Sequence, residues 1–127
     1  MKDEETNGTS RTKDSRLLRQ RTKDFAIQVI QMYCALPKST EAQVLGKQVL
    51  RSGTSVGANC REACRARSKA EFVAKVGDVL KELDESSYWF ELLVETNIMP
   101  SAILQPLQNE SDELLAIFTT IAKKCKN

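Results

Sequence analysis

Apolar residues recur along this chain at intervals of three and four, and nowhere with the strict alternation of a half-buried strand. In the first periodic run Leu18, Phe25, Val29, Met32 and Leu36 fall on one stripe, with Ala26, Ile30 and Tyr33 beside it. This predicts a helix over about residues 15–36, ended by Leu36-Pro37 because the residue before a proline disfavours helical torsions. The second run, Ala42, Leu45, Val49, Ser52, Gly53, Val56, Cys60 and Ala63, predicts a helix over about 40–66. Thr40 and Gln43 are spaced as a capping box at its start. Most of that face is small, which lets a neighbouring backbone come close. Gly53 and Gly57 each cost about 1 kcal/mol relative to Ala inside a helix. Close packing would offset that cost; a kink or a binding notch is the competing reading.

Ser68 and Glu71 form a second capping-box pattern and predict a third helix over about 69–96. Val73, Val76, Leu80, Leu83, Ser87, Phe90 and Val94 follow the period of a bundle core. Phe72, Val79, Trp89 and Leu93 form a second stripe. A helix buried on two sides implies either a subunit interface anchored on Tyr88 and Trp89, since aromatics dominate such cores, or a Trp89 that completes the chain's own core. Asn97 suits a left-handed helix end, Pro100 suits a first helical turn, and Pro106 should bend the fourth helix or delay its start. Leu104, Leu107, Leu114, Phe118 and Ile121 supply that helix's stripe over about 100–124. Short links between successive helices favour antiparallel neighbours. The fold class expected is therefore all-α: an antiparallel up-down four-helix bundle over residues 15–127. Residues 1–14 are polar and aperiodic and are expected to be a disordered tail.

Composition narrows the function more than the fold. The 127 residues suffice for one domain, and 41% hydrophobic with 28% charged residues is ordinary for a globular protein. No run reaches a membrane span, and the N-terminal segment lacks the apolar middle of a signal peptide, so a cytoplasmic protein without a membrane role is expected. The four cysteines, Cys34, Cys60, Cys64 and Cys125, show no CxxC spacing and are expected to be small buried hydrophobes. Cys60 and Cys64 lie one turn apart, but the chain has no histidine to complete a metal site. That lack also removes the most adaptable acid–base group and the Glu-x-x-His pairs with which helical bundles hold two metals. RSGTSVG, at residues 51–57, lacks the Gly-Lys-Ser/Thr ending of a phosphate-binding loop. The carboxylates Glu71, Glu82, Glu85 and Glu91 are spaced for solvated faces or ion pairs. No catalytic residue, metal or cofactor is expected, and the chain reads as non-enzymatic.

A net charge of +2 does not by itself imply a nucleic-acid partner; its distribution is more informative. Arg11, Lys13, Arg16, Arg19, Arg21 and Lys23 face only Asp14 in the same stretch, as a solvated arm or a phosphate-contacting one. On the second helix Lys47, Arg51, Arg61 and Arg65 lie within about 40° of a common line, with Thr54 and Ala58 between them. The helix has no acidic residue on that face, and Glu62 stands about 60° away. Such a row reads as a phosphate track, or equally as charges facing solvent or an oligomer interface.

Three segments stand out: LPK at Leu36 to Lys38, RSGTSVGANCREACRARSKAEF at Arg51 to Phe72, and LKELDESSYWFELL at Leu80 to Leu93. They resemble one bacterial four-helix-bundle family, named for proteins encoded inside 23S rRNA intervening sequences. The likeness extends over about residues 22–125. It implies a long antiparallel bundle, often a homopentamer. More distantly the chain is similar to the accessory variability proteins of diversity-generating retroelements, basic pentameric barrels that bind nucleic acid and a reverse transcriptase. Ser52, Gly53, Val56, Ala58, Asn59, Glu62 and Ala63 match the family's helix-two motif; Glu82, Glu85, Tyr88 and Trp89 match its helix-three motif. Cys60 departs from the aromatic or aliphatic residue often found there. Asn59 and Glu62, with Glu85, read as a polar network joining helices.

Two functions are therefore expected. One is a non-enzymatic homo-oligomer, pentameric by resemblance, that binds RNA or DNA through Lys47, Arg51, Arg61 and Arg65. The other is a structural or protein-interaction scaffold whose oligomer recruits a protein partner and has no nucleic-acid role.

Overall fold

A computed structural model describes the backbone of residues 2–126 and the side chains of residues 14–126. It contains four helices, α1 (Lys2–Cys34), α2 (Thr40–Cys64), α3 (Lys69–Glu95) and α4 (Ser101–Cys125), and no strand among the described residues. The expected tail, residues 1–14, falls almost wholly on side chains outside the described ones. Successive helices lie side by side, α2 most extensively on α3, while α1 and α4 meet over a short stretch. Among the described residues no helix is long and apolar enough to cross a membrane.

Local chemistry sets the ends. The N-cap of α2 is Ser39, one residue before the expected Thr40; its hydroxyl accepts from the Ala42 amide at 3.4 Å. Gln43 turns instead to the loop, donating to the Pro37 carbonyl at 2.9 Å and accepting from the Tyr33 hydroxyl at 3.0 Å. Ser68 caps α3 as its spacing predicts, accepting from the Glu71 amide at 3.0 Å, while the Glu71 carboxylate accepts from the Arg67 amide. At the other end of α3, Asn97 adopts the left-handed conformation with φ 60°. The Ile98 amide then reaches the Leu93 carbonyl and the Asn97 amide the Val94 carbonyl, both at 3.0 Å, which satisfies two carbonyls that a helix end leaves open. Pro100 stands just before α4, as its N-cap, rather than in its first turn. Pro106 lies inside α4 without delaying its start. The carbonyl it leaves unbonded belongs to Ala102, an exposed residue that water can reach.

The core is a column of apolar side chains crossed by one aromatic pair, Phe25 of α1 edge-on to Phe90 of α3 with ring centres 6.3 Å apart. The small residues of α2 fit its two neighbours. On the α1 side a Cβ at Gly46 would lie 2.5 Å from Leu36 Cδ1, one at Gly53 2.9 Å from Val29, and one at Gly57 3.3 Å from the Thr22 carbonyl oxygen. On the α3 side the hydroxyls of Ser52 and Ser86 meet at 2.7 Å. The two stripes expected on α3 are in fact one: Val76, Val79, Leu83, Ser86, Phe90 and Leu93 are buried, with Glu82 at its edge. Ser87, Val73, Leu80 and Val94 are only half-buried. The core line runs between the two predicted stripes because Ser86, whose hydroxyl finds Ser52, goes inward in place of Ser87.

Candidate functional site

Lys47, Arg51 and Arg61 lie exposed on the outer side of α2, with Arg65 exposed just past its end, and their surroundings differ. Arg51 is held by two carboxylates of α3. Its Nη1 donates to Glu82 Oε2 at 3.0 Å, and its Nη2 donates to Glu85. Glu82 has only 10% of its side chain exposed, so the guanidinium is what compensates a nearly buried charge. The Arg51 hydrogen bond, helped by the Trp89 indole N–H donating at 3.3 Å, holds the Glu85 carboxyl below the usual carboxylate range. The Arg51 guanidinium is raised in turn, first by its bond to Glu85. The expectation that this face lacks neutralising acids is thus corrected: the acids come from α3. Lys47 stands about 21 Å along the helix from Arg61, at 1.5 Å per residue.

The remaining arginines gather where α2 turns into α3. Arg61, Arg65 and Arg67 line a shallow depression of about 320 Å³, together with Glu62 and Glu71. Both acids are otherwise engaged. Glu62 accepts from Lys75 at 3.1 Å, which raises the Lys75 ammonium, and Glu71 closes the α3 cap. None of the three guanidinium groups forms an ion pair among the described residues. Arg67 is not evident as a partner from the sequence, because it lies in the turn, where helical angles carry no information. Its nearness in sequence to Arg65 was the only available signal.

Other singled-out residues serve packing or sit apart. Gly53 and Gly57 form the close approach of α2 to α1. Asn59, Glu62 and Glu85 make no single network: Glu62 bridges to Lys75 and Glu85 to Arg51, with Asn59 half-buried and part of neither. Trp89 is half-buried against the core and stacks obliquely on Tyr88, ring centres 5.1 Å apart, whereas Tyr88 itself is 53% exposed. Of the cysteines only Cys60 is buried; Cys34 and Cys64 are exposed and Cys125 is half-buried, which corrects the expectation for those three. Burial pushes the Cys60 thiol up to about 11. A bidentate pair that sequence reading missed joins α1 to α4: Arg21 donates to Glu110 at 2.6 and 3.0 Å. Among the described residues no cluster of three or more Cys, Asp or Glu is poised for a metal.

Among the described residues the arrangement offers exposed cations and apolar seams. A comparison with curated proteins found no match. Among solved structures the chain is similar to a protein of unknown function from the S23 ribosomal protein family of Bacteroides thetaiotaomicron. The two are 36% identical with a TM-score of 0.80, over 86% of this chain and 97% of that one. The family model described as 23S rRNA-intervening sequence protein matches residues 16–120. The chain belongs to the 23S rRNA-intervening sequence protein family.

Proposed function

We propose that this chain is a non-enzymatic RNA- or DNA-binding protein that contacts phosphates through the arginines at the α2–α3 turn. The observation that carries the reading is the convergence of Arg61, Arg65 and Arg67 on one depression while Arg51 is committed to Glu82 and Glu85. Exposed guanidinium groups suit phosphate oxygens, because their planar fork donates two bonds at once. Binding of this kind is sequence-tolerant and weakens steeply with salt. Three arginines on one chain are a small footprint. The reading therefore includes a homo-oligomer, pentameric by family resemblance, that repeats the cluster and raises avidity. It also includes an antiparallel up-down order of the helices, supported by the way Leu36, Val29 and Thr22 meet Gly46, Gly53 and Gly57 in turn. A cytoplasmic location accords with it.

Fluorescence anisotropy with a labelled single-stranded RNA, read across a salt series, tests the binding. The Arg61→Ala, Arg65→Ala double variant should bind more weakly, and unchanged affinity would reject the reading. Sedimentation at micromolar protein should give a species heavier than one chain; a monomer would reject the assembly.

A second reading, a scaffold that recruits a protein partner, is favoured by one observation. Tyr88 is 53% exposed on a half-buried Trp89, the pairing of an accessible aromatic with a rigid base that interface anchors use. Loss of a co-purifying protein on Tyr88→Ala, with RNA affinity absent from the parent, would favour it over the first.

A further inference from the structure

Among the described residues, the bundle is open where α3 begins, α2 and α4 finish and α1 passes residues 14–18. A cavity of about 670 Å³ opens there, lined by all four helices. Its volume falls within the roughly 300–1,000 Å³ of small-molecule sites, and helix bundles commonly hold ligands between their helices. The sequence explains the gap. Ser15, Cys60, Ala63, Cys64 and Cys125 are small residues facing this space, whereas Phe25, Val29, Leu83 and Phe90 fill the bundle's interior.

Its wall is predominantly apolar, from Leu18, Phe72, Val76, Phe118 and Ile121, and the buried Cys60 thiol stays protonated at neutral pH. Two ammonium groups, Lys69 and Lys124, stand at exposed positions of the lining against the single carboxylate of Asp14. We infer that this cavity binds a single-chain amphiphilic anion, an alkyl carboxylate whose chain enters between Phe72, Val76 and Phe118 and whose head group meets Lys69 and Lys124. A nucleobase is a poorer occupant, because the apolar wall would strip its polar edges of hydrogen bonds. A cationic amphiphile would face both lysines. The site is independent of the phosphate-binding reading.

The native cysteines provide the test. The intact protein is labelled with N-ethylmaleimide in the presence of laurate, and the rate at each cysteine is read by peptide mass spectrometry. With laurate at ten times its dissociation constant, Cys64 and Cys125 should react about tenfold more slowly, as occupancy dictates. Cys34, exposed at the far end of α1, is the internal control and should be unaffected. Dodecyltrimethylammonium should need a concentration about tenfold higher, a difference of one such factor in affinity. Cys64→Trp, at an exposed position on the lining, should abolish protection of Cys125 while circular dichroism stays helical. Unchanged rates at Cys64 and Cys125, equal slowing at Cys34, equal protection by the cationic amphiphile, or full protection in the tryptophan variant would each overturn the inference.

Discussion

Val29 of α1 occupies the space that a side chain at position 53 of α2 would need: a Cβ built on Gly53 lies 2.9 Å from both methyl carbons of Val29. The glycine is therefore kept for the close approach of two helices, and its backbone is ordinary helix. Gly77 of α3 is the opposite case, since a Cβ there would meet nothing within 4 Å.

These two glycines should respond to alanine with opposite signs. Gly53→Ala gains about 1 kcal/mol of helix propensity but forces an overpacked contact costing about 1–3 kcal/mol, so net destabilisation of about 1 kcal/mol is expected. Gly77→Ala should stabilise by about 0.5–1 kcal/mol. Urea midpoints of the two variants, at equal slope, check both.

Arg51→Ala should destabilise by about 1–3 kcal/mol, because Glu82 is left nearly buried without its counter-charge. Its pH dependence follows from Glu85, whose carboxyl is lowered in the folded state by Arg51 and Trp89. A lowered folded value means the contribution is fully present above the ordinary value of 4.5 and is lost as pH falls through the folded value. The wild-type chain should thus lose stability on acidification below 4.5 more steeply than the Arg51→Ala variant. Denaturant unfolding at neutral pH and again in the acid range measures this, and parallel losses would contradict it.

At Asn97, the left-handed residue after α3, glycine should be neutral or stabilising by up to about 1 kcal/mol and valine destabilising by about 1–2 kcal/mol. Thermal unfolding of the pair, Asn97→Gly and Asn97→Val, reads the difference directly.

How far the sequence anticipated these features depended on whether they are local. The buried faces of α1, α2 and α4 follow from three-and-four spacing, and so do the Ser68 cap and the Asn97 turn. In α3 the period was visible but its phase was not, since Ser86 and Ser87 are alike in hydropathy and only the hydroxyl of Ser52 on another helix decides between them. The pairing of Arg51, one member of the basic row, was hidden for the same reason. The row's four members share an angle on α2, but the partners of Arg51 lie 31 and 34 residues further on, and a single helix carries no information about its register with the next. Arg67 and the end cavity likewise arise only when the turn and all four helix ends are brought together.

In the proposed function the α2–α3 turn, and not the whole row on α2, meets nucleic acid. The most direct test is the salt dependence of single-stranded RNA binding for three proteins side by side: wild type, Arg51→Ala, and the Arg61→Ala, Arg65→Ala double variant. The double variant should lose affinity about 10- to 100-fold at low salt, and its log–log salt slope should flatten by about one to two units. The Arg51→Ala variant, still helical, should keep the wild-type slope. The opposite pattern, with the slope flattened by Arg51→Ala and untouched by the double variant, would contradict the account.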